Sequence, residues 1–411
     1  MKKGVIVTVC VLLLVVMAGL IFAQNVFSST DIPKLYLEGD ISQMESKADE
    51  RKIAFRYDDG EQAVSGYAKI KVQGTSSLEY EKKNYTLKFY EDDAYNNKLN
   101  IDVGWGSQNT YCMKANWIDK THARNVVTAK LVGQMQEKYG LLVQAPNHGA
   151  IDGFPVEIYS NGAFLGLYTF NIPKAAWQFG MDEENANHIV LGGEMWSGVT
   201  FFEEMPDFES WEVEVGEASE ATLNKMNRLY DFVINSTDEE FRTHFPEYLN
   251  LDAALNYYVM SDIAYLIDNR GKNMLLATYD GMEWYLSLYD LDTSWGTDFA
   301  GQELWPYKET LVEMDQSNLF ARMEKNFPQE LAHRYYALRE DILSDENILK
   351  EFYAFRETIP AATFVREQLR WSKLFLLGAK DLPGYGYDQI EEYLQTVSEK
   401  LDAKYAQMLE Q

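Results

Sequence analysis

The hydrophobic period of the chain changes near residue 175, and this change constrains the fold more than any other feature. From Pro33 to about Phe170, short runs of alternating apolar and polar residues are separated by turn dipeptides such as Asn161-Gly162. Alternation with a period of two is typical of strands. Beyond about Ala176 the apolar residues recur every three or four positions, as in helices. The pattern predicts an α+β fold with a β-rich first part and a mainly helical second part.

The predicted elements follow this division. Strands are predicted at 34–37, 53–57, 67–72, 85–90, 111–115, 154–159 and 164–170, and one helix, 123–138, interrupts them. Helices are predicted at 221–234, 251–267, 331–343, 347–358, 361–376 and 387–409, the last after the breaker Leu382-Pro383-Gly384. The acidic stretch 182–220 fits no element. We therefore divide the chain into residues 1–30, a β-rich unit at 31–175 and a helical unit at 176–411.

The N-terminus has the pattern of an export signal. Lys2 and Lys3 precede a stretch without charge from Gly4 to Ala23. A basic start followed by an apolar run is typical of a signal peptide, here with a cut after Ala23, and about twenty apolar residues also suffice for an uncleaved anchor. Either reading places the rest of the chain outside the cell, secreted or at the surface, with membrane contact only through this segment.

Composition excludes several classes of function. The chain has 64 acidic and 37 basic residues and a formal net charge of −27, so nucleic acid is a poor partner. Five histidines and two cysteines stand at no zinc-site spacing, and no disulfide framework is indicated. Nothing in the sequence specifies an oligomeric state.

The segment 268–296 carries the strongest chemical pattern. Two apolar runs, 274–279 and 282–289, are joined by Asp280-Gly281, which favours a two-residue hairpin turn. That turn places Asn273 opposite Leu288, with Asp290 as its diagonal neighbour. The strand phase then turns the oxygens of Asn273 and Asp290 to one side, and that of Asp292 too if the extended run continues. Such oxygens are suitable ligands for Mg²⁺.

Asp268 lies five residues before Asn273. In protein kinases an aspartate and an asparagine at this spacing, followed by a hairpin and a second aspartate, supply the catalytic base and two metal ligands. An ordinary loop at 268–271, with Asp292 as the N-cap of a turn, would produce the same pattern.

A glycine and hydroxyl cluster, Gly74-Thr75-Ser76-Ser77, follows the strand 67–72. Lys82, Lys83 and Lys88 follow this cluster. Free backbone N–H groups in such a turn can hold phosphate oxygens, and a lysine on the next strand can neutralise them. Lys88 faces away from the apolar side of its strand. A polar loop beside a solvated lysine explains the same residues equally well.

The segment 116–125 has a structural interpretation. Asp119 or Thr121 is a suitable N-cap for the helix 123–138. Arg124 is expected to pair with a carboxylate rather than to bind a ligand.

Together these residues resemble the CotH family of spore-coat and surface kinases, over about residues 34–300. The matching blocks are Val72-Gln73-Gly74-Thr75-Ser76-Ser77 with Lys82-Lys83-Asn84-Tyr85-Thr86-Leu87-Lys88; Met113-Lys114-Ala115-Asn116-Trp117-Ile118-Asp119 with Arg124-Asn125; Asn161-Gly162 to Gly166-Leu167-Tyr168; and Tyr289-Asp290-Leu291-Asp292-Thr293-Ser294-Trp295-Gly296. Two features depart from the family pattern. The family usually has a glutamate after its Gly-x-Tyr strand, whereas here Tyr168 leads to Thr169, Phe170 and Asn171, and Tyr289 stands where a tryptophan is common.

The resemblance implies a two-lobed fold similar to that of protein kinases and transfer of the γ-phosphate of ATP, with Mg²⁺, to serine or threonine of a protein. Asp268 would be the catalytic aspartate, and Asn273 and Asp290 the metal ligands. Asp292 is a second candidate ligand. For cofactor binding it implies Gly74, Ser76 and Ser77, with Lys83 or Lys88 as the lysine on the phosphates.

The charge of the chain predicts a substrate class, because a strongly acidic surface attracts Ser/Thr segments rich in Lys and Arg. An alternative from another class is a non-catalytic surface or spore-coat protein that uses the same fold for adhesion or assembly. Retention of the acidic ligands and the lysine favours the kinase. A carbohydrate-active protein would rest only on the many aromatic residues, which are more commonly buried.

Overall fold

The structure, a computed structural model, describes residues 31–202, 205–371 and 385–411. The predicted export segment, the end of the predicted helix 361–376 and the breaker Leu382-Pro383-Gly384 lie outside the described residues. Within these ranges no helix is both long enough and apolar enough to cross a bilayer. Helices and strands are mixed along the chain, which confirms the α+β class.

The first part of the chain folds into a closed barrel. The strands of this part are β1 (Lys34–Glu38), β2 (Glu50–Asp58), β3 (Ala63–Gln73), β4 (Asn84–Tyr90), β5 (Ile101–Asp102), β6 (Ser107–Gln108), β7 (Thr110–Lys114), β8 (Gly153–Ser160) and β9 (Ala163–Asn171). The order around the barrel is β1-β2-β3-β4-β7-β9-β8, and β5 and β6 pair separately. All seven predicted strands are therefore present.

Closure depends on β1, which pairs antiparallel with β2 and parallel with β8. Lys34 lies opposite Asp58 on one side and opposite Glu157 on the other. The period-two pattern does not predict this closure, because alternation describes the two faces of a strand and not its neighbours.

Strand alternation gives the barrel an apolar interior and a polar outer face. Ile70, Leu87, Phe89 and Tyr111 are buried inside. Lys88 lies between two of these positions on β4 and is exposed, as its strand phase predicts. The outer face of β3, β4 and β7 thus forms a polar wall.

The predicted helix 123–138 is α1 (Arg124–Lys138). Its apolar residues Val126, Leu131 and Met135 belong to a second hydrophobic core, which they share with the helices of the second part. The helix is therefore packed with the helical unit, although its sequence position lies inside the β-rich one.

A four-stranded sheet lies within the second core. Its strands are β10 (Ile189–Gly193), β11 (Trp211–Val215), β12 (Met274–Thr278) and β13 (Tyr285–Leu288), in the order β11-β10-β12-β13. β10 and β11 come from the acidic stretch that fitted no predicted element. The other helices are α2 (Trp196–Val199), α3 (Glu220–Asn235), α4 (Asp238–His244), α5 (Leu251–Ile263), α6 (Asn318–Asn326), α7 (Pro328–Arg339), α8 (Asp345–Glu357), α9 (Ala361–Trp371) and α10 (Tyr385–Leu409).

The predicted register of the β12–β13 hairpin is wrong by one residue. Met274, not Asn273, lies opposite Leu288, and the connection is longer than two residues. The Asp280 side chain accepts hydrogen bonds from the N–H groups of Met282 and Glu283, at 2.7 and 3.0 Å, and so widens the turn. The N–H of Trp284 instead donates a hydrogen bond to the carbonyl of Tyr248, at 2.8 Å.

Candidate active site

A cleft of about 850 Å³ lies between the polar outer wall of the barrel and the ends of the β12–β13 hairpin. Its size is within the range of small-molecule sites. It collects most of the predicted site residues: Gly74, Ser77, Lys88, Asp268, Asn273, Asp290 and Asp292. Two segments that are far apart in the chain, residues 74–88 and residues 268–292, thus converge on one concave surface.

The hairpin ends present their side chains through an irregular backbone. Asn273 and Asp290 both have positive φ, +55° and +56°, a conformation that Asn and Asp tolerate better than most residues. The strand phase on which the sequence prediction relied therefore stops at these positions. The two residues still line the same cleft, because both adopt this left-handed conformation just outside their strands, at the same end of the hairpin.

Asn269 joins the two ends of the hairpin. Its buried Nδ2 donates to the carbonyl of Asn273 at 3.1 Å and to that of Tyr289 at 2.8 Å. The Tyr289 N–H also donates to the Asn273 carbonyl, at 3.1 Å. Asp268 directly precedes Asn269 in the turn Asp268–Arg270, and its carbonyl accepts from the N–H groups of Gly271 and Lys272 at 3.1 and 2.8 Å. The turn and the Asn269 side chain together therefore place Asp268 beside the ends of the hairpin.

Helix α1 holds the segment that carries Asp290 and Asp292. The Asn125 side chain accepts from the Leu291 N–H at 2.7 Å, and the Arg124 Nε donates to the Ser294 carbonyl at 3.0 Å. One turn further along the helix, Thr128 accepts from the buried indole of Trp295 at 2.7 Å. The backbone that carries Asp290 and Asp292 is therefore anchored to a rigid element.

Arg124 is itself paired, which confirms its predicted role. Its guanidinium donates to Asp119 at 2.6 Å, and both side chains are almost completely buried. Asp119 also accepts from the Arg124 N–H at 2.8 Å, and so satisfies one free donor in the first turn of α1, and from the Thr121 N–H at 3.0 Å before the helix. The predicted N-cap, Asp119 or Thr121, is wrong, because Ala123 occupies that position without a side-chain cap bond.

Negative charge is concentrated at this end of the cleft. Burial raises the pKa of Asp292 well above its ordinary value; the charge of Asp290 adds to the rise, and Lys114 opposes it. Burial likewise raises the pKa of Asp268, with Asp290 acting in the same direction and Lys272 against it. The charge of Asp290 thus disfavours ionisation of both Asp292 and Asp268, and a cation bound here would relieve that repulsion.

Sequence reasoning missed Lys114 as a site residue. It is the last residue of β7, and its Nζ lies 3.8 Å from an Asp290 oxygen with only 9% of the side chain exposed. Burial disfavours its charge, but Tyr289 and Asp290 outweigh this effect and raise the pKa of Lys114, so it stays protonated. A lysine after the buried Tyr111, Cys112 and Met113 was the available signal. The prediction included Lys114 in a strand and in a block that matches the family, but gave it no role in the site.

Tyr289 connects the two walls of the cleft. The Nζ atoms of Lys114 and Lys174 lie 5.0 and 5.1 Å from the centre of its ring, within cation–π distance. Its hydroxyl accepts from the Gln73 side chain at 3.1 Å, at the end of β3. Lys174 also pairs with Glu214 and was not predicted either.

The glycine turn has the expected local geometry. Gly74 has a φ of +103°, and a Cβ there would lie 1.8 Å from Ser77 Oγ, so only glycine fits. Ser77 donates to the Gln73 carbonyl at 3.2 Å and accepts from Asn84 at 3.3 Å. Ser76 lies in the same turn, Ser76–Glu79, and its side chain is outside the described part.

The two lysines predicted to contact the phosphates lie in different clefts. Lys88 lies in the cleft, on the outer wall. Lys83 lies in a different cleft together with Arg370 and Trp371, and its Nζ donates to the Leu78 carbonyl. The geometry does not support Lys83 as a phosphate ligand, because its side chain turns back onto the 3₁₀ turn rather than along the wall.

Comparison with known proteins identifies the family. The sequence profile described as CotH kinase protein matches residues 70–403, which is most of the chain and includes every predicted site residue. The chain belongs to the CotH kinase family, and this membership suggests kinase activity. A search of curated proteins found no match.

Proposed function

We propose that the protein is an ATP- and Mg²⁺-dependent protein serine/threonine kinase, in which the barrel and the helical unit act as the two lobes of a kinase-like fold. The observation that carries the proposal is the convergence of Asp268, Asn273, Asp290, Asp292 and Lys114 in one cleft. Positioning and charge neutralisation supply most of the rate of phosphoryl transfer, and these residues offer both.

The donor set suits a magnesium ion. Asn273 offers an amide oxygen, and Asp290 and Asp292 offer carboxylates whose crowded charges a cation would relieve. A bound Mg²⁺ would neutralise phosphate charge and supply electrostatic stabilisation. Lys114, which stays protonated beside Asp290, supports the proposal as the lysine on the phosphates, and Lys88 remains the second candidate.

Each residue then has a defined task in the transfer. The oxygen of the substrate hydroxyl forms a bond to the γ-phosphorus, the bond from that phosphorus to the β,γ-bridging oxygen breaks, and ADP leaves. Asp268 accepts the proton of the hydroxyl as the new bond forms. Gly74 and Ser77 lie at the barrel side of the cleft, where the turn can cover the phosphates. Pro173, Ala175, Ala176 and Trp177 also line the cleft and offer apolar surface for the base.

We further propose an exported enzyme, secreted, anchored at the cell surface or held in a spore coat, whose substrates are Ser/Thr segments of basic coat or surface proteins. The net charge of −27 supports this substrate class, and so do Glu183, Glu194, Glu212 and Glu214 on the helical side of the cleft. Phosphorylation of a Lys/Arg-rich peptide should exceed that of an acidic one and should fall with salt. Equal rates that do not change with salt would contradict this substrate class.

The test of the activity is transfer of labelled γ-phosphate from ATP to a basic Ser-rich protein. Wild type should transfer label with Mg²⁺, and Asp268→Ala and Asp290→Ala should abolish transfer. Lys114→Met and Lys83→Met are a matched pair, because only Lys114 lines the cleft. We expect a large loss in the first and near wild-type transfer in the second. No transfer and no Mg²⁺-dependent ATP binding by wild type would leave the adhesion or assembly function.

A further inference from the structure

A buried ion pair attaches helix α9 to the barrel. Glu367 on α9 accepts a hydrogen bond from Lys82 Nζ at 2.6 Å, with 11% and 1% of the two side chains exposed. The second carboxylate oxygen of Glu367 accepts from the Leu167 N–H in β9, at 2.6 Å. The helix follows more than sixty positions after the catalytic hairpin, yet it packs against the unit that carries the glycine turn.

Lys82 also connects α9 to the residue that follows Lys114 at the edge of the cleft. Its ammonium group also donates to the carbonyls of Ala115, at 2.9 Å, and of Leu167. Ala115 directly follows Lys114, the lysine beside Asp290. The helix, the middle of β9 and the end of β7 therefore meet at one nitrogen.

The same short segment binds the other side of Ala115. Asn84 accepts from the Ala115 N–H at 2.6 Å, so both backbone polar groups of Ala115 are held by residues 82–84. Asn84 also donates to Ser77 in the glycine turn at 3.3 Å. A continuous network thus runs from α9 to Lys114 and to the turn at Gly74.

The charge of Lys82 is needed for this network. An ammonium group has three N–H donors, and here each donates a hydrogen bond to a different acceptor. The acceptors are the carbonyls of Ala115 and Leu167 and the carboxylate of Glu367. Burial lowers the pKa of Lys82, and the charge of Glu367 opposes that effect. Without Glu367 the buried amine would favour its neutral form, which has one donor fewer.

We infer that Lys82 and Glu367 are positioning residues: docking of α9 on the barrel fixes the end of β7 and the glycine turn, and thereby sets the affinity of the cleft for nucleotide. This inference rests on the proposed function, since it takes the cleft as the ATP site. Neither side chain lines the cleft. Both act through Lys114 and Ser77.

Arg366→Met provides a matched control for Glu367→Gln. Arg366 stands next to Glu367 on α9 and forms a buried ion pair with Glu157 of β8, so its loss also breaks an attachment of this helix to the barrel. Its described contacts are with Glu157, Tyr159, Thr363 and the ring of Phe164, none of which belongs to the network around Ala115. A purely structural role of Glu367 predicts equal effects of the two changes.

The experiment uses the full chain and three readouts: the unfolding midpoint, the affinity for Mg²⁺·ATP and amide hydrogen exchange without nucleotide. Both variants should lower the midpoint. Glu367→Gln should weaken ATP binding by roughly five- to fiftyfold and speed exchange in 72–79 and 110–117. Arg366→Met should change ATP affinity by less than about twofold and leave exchange there unchanged. Equal effects on ATP affinity, or none in Glu367→Gln, would overturn the inference.

The double variant Lys82→Met/Glu367→Leu separates a loss of positioning from a loss of stability. Replacing a buried pair by apolar residues commonly preserves stability, whereas removing one partner does not. The double variant should therefore regain part of the unfolding midpoint lost in Glu367→Gln, because no charge is left unpaired while backbone groups of Ala115 and Leu167 still lose their partners. It should still show weak ATP binding and fast exchange in 110–117, because the bond to the Ala115 carbonyl is absent. Recovery of all three readouts would show that the pair only stabilises the fold. If wild type binds no ATP, the proposed function fails, and the exchange data alone still decide the positioning role.

Discussion

Asp119→Asn should destabilise the protein strongly, because it leaves the Arg124 guanidinium buried without a counter-charge. Asp119 is fully buried, pairs with Arg124 at 2.6 Å and accepts from the Arg124 and Thr121 N–H groups at 2.8 and 3.0 Å. Removing one partner of such a buried pair costs about 3–5 kcal/mol. Domains are stable by about 5–15 kcal/mol, so a large part of the total would be lost.

Urea unfolding measures this loss, as a lower midpoint at an unchanged m value. The control is Lys130→Ala on the same helix, whose ion pair with Glu351 is half exposed on the lysine side. An exposed pair of this kind contributes at most about 1 kcal/mol. Arg124 also holds the Ser294 carbonyl, so Asp119→Asn should weaken Mg²⁺·ATP binding as well. A destabilisation no larger than that of the control would refute the reasoning.

Two further predictions concern the cleft. Asp268 must be ionised to accept a proton, and the charge of Lys272 partly offsets the rise in its pKa. Lys272→Met should therefore raise the pKa of Asp268 and shift the acid limb of the pH profile of kcat/KM to higher pH. An acid limb at the same or a lower pH would contradict this. Gly74→Ala should cost more than about 1 kcal/mol and weaken ATP binding, because its Cβ would meet Ser77. Gly104→Ala, at a similar φ of +106° in open space, should show the backbone cost alone, so equal ATP binding in both variants would exclude a role for the turn.

The sequence was most informative where local patterns decide the structure. Seven strands of the barrel and the helix Arg124–Lys138 follow from periodicity, and the pairing of Arg124 follows from its place at a helix start. Residues predicted from the sequence, such as Gly74 on the barrel side and Asp268 on the other, also line the cleft. Asp268 and Asn273 lie there together whatever the register of the hairpin, because they are only five residues apart.

Long-range contacts account for what the sequence did not predict. The hairpin register moved by one residue because Trp284 bonds to Tyr248 and Asp280 caps its own turn. β10 ends in Gly192-Gly193, which carry no side chains and so no hydrophobic period. Lys114 and Lys82 gain their roles only through partners far away in the chain, Asp290 and Glu367.

The central claim is that the cleft binds a magnesium nucleotide through Asp290 and transfers phosphate with the help of Asp268. Calorimetric titration of ATP, with and without Mg²⁺, tests it most directly. The account predicts binding by wild type that requires Mg²⁺, loss of that binding in Asp290→Ala, and its retention in Asp268→Ala, which should lack only the transfer. ATP binding that does not depend on Mg²⁺, or that Asp290→Ala leaves intact, would contradict the assignment.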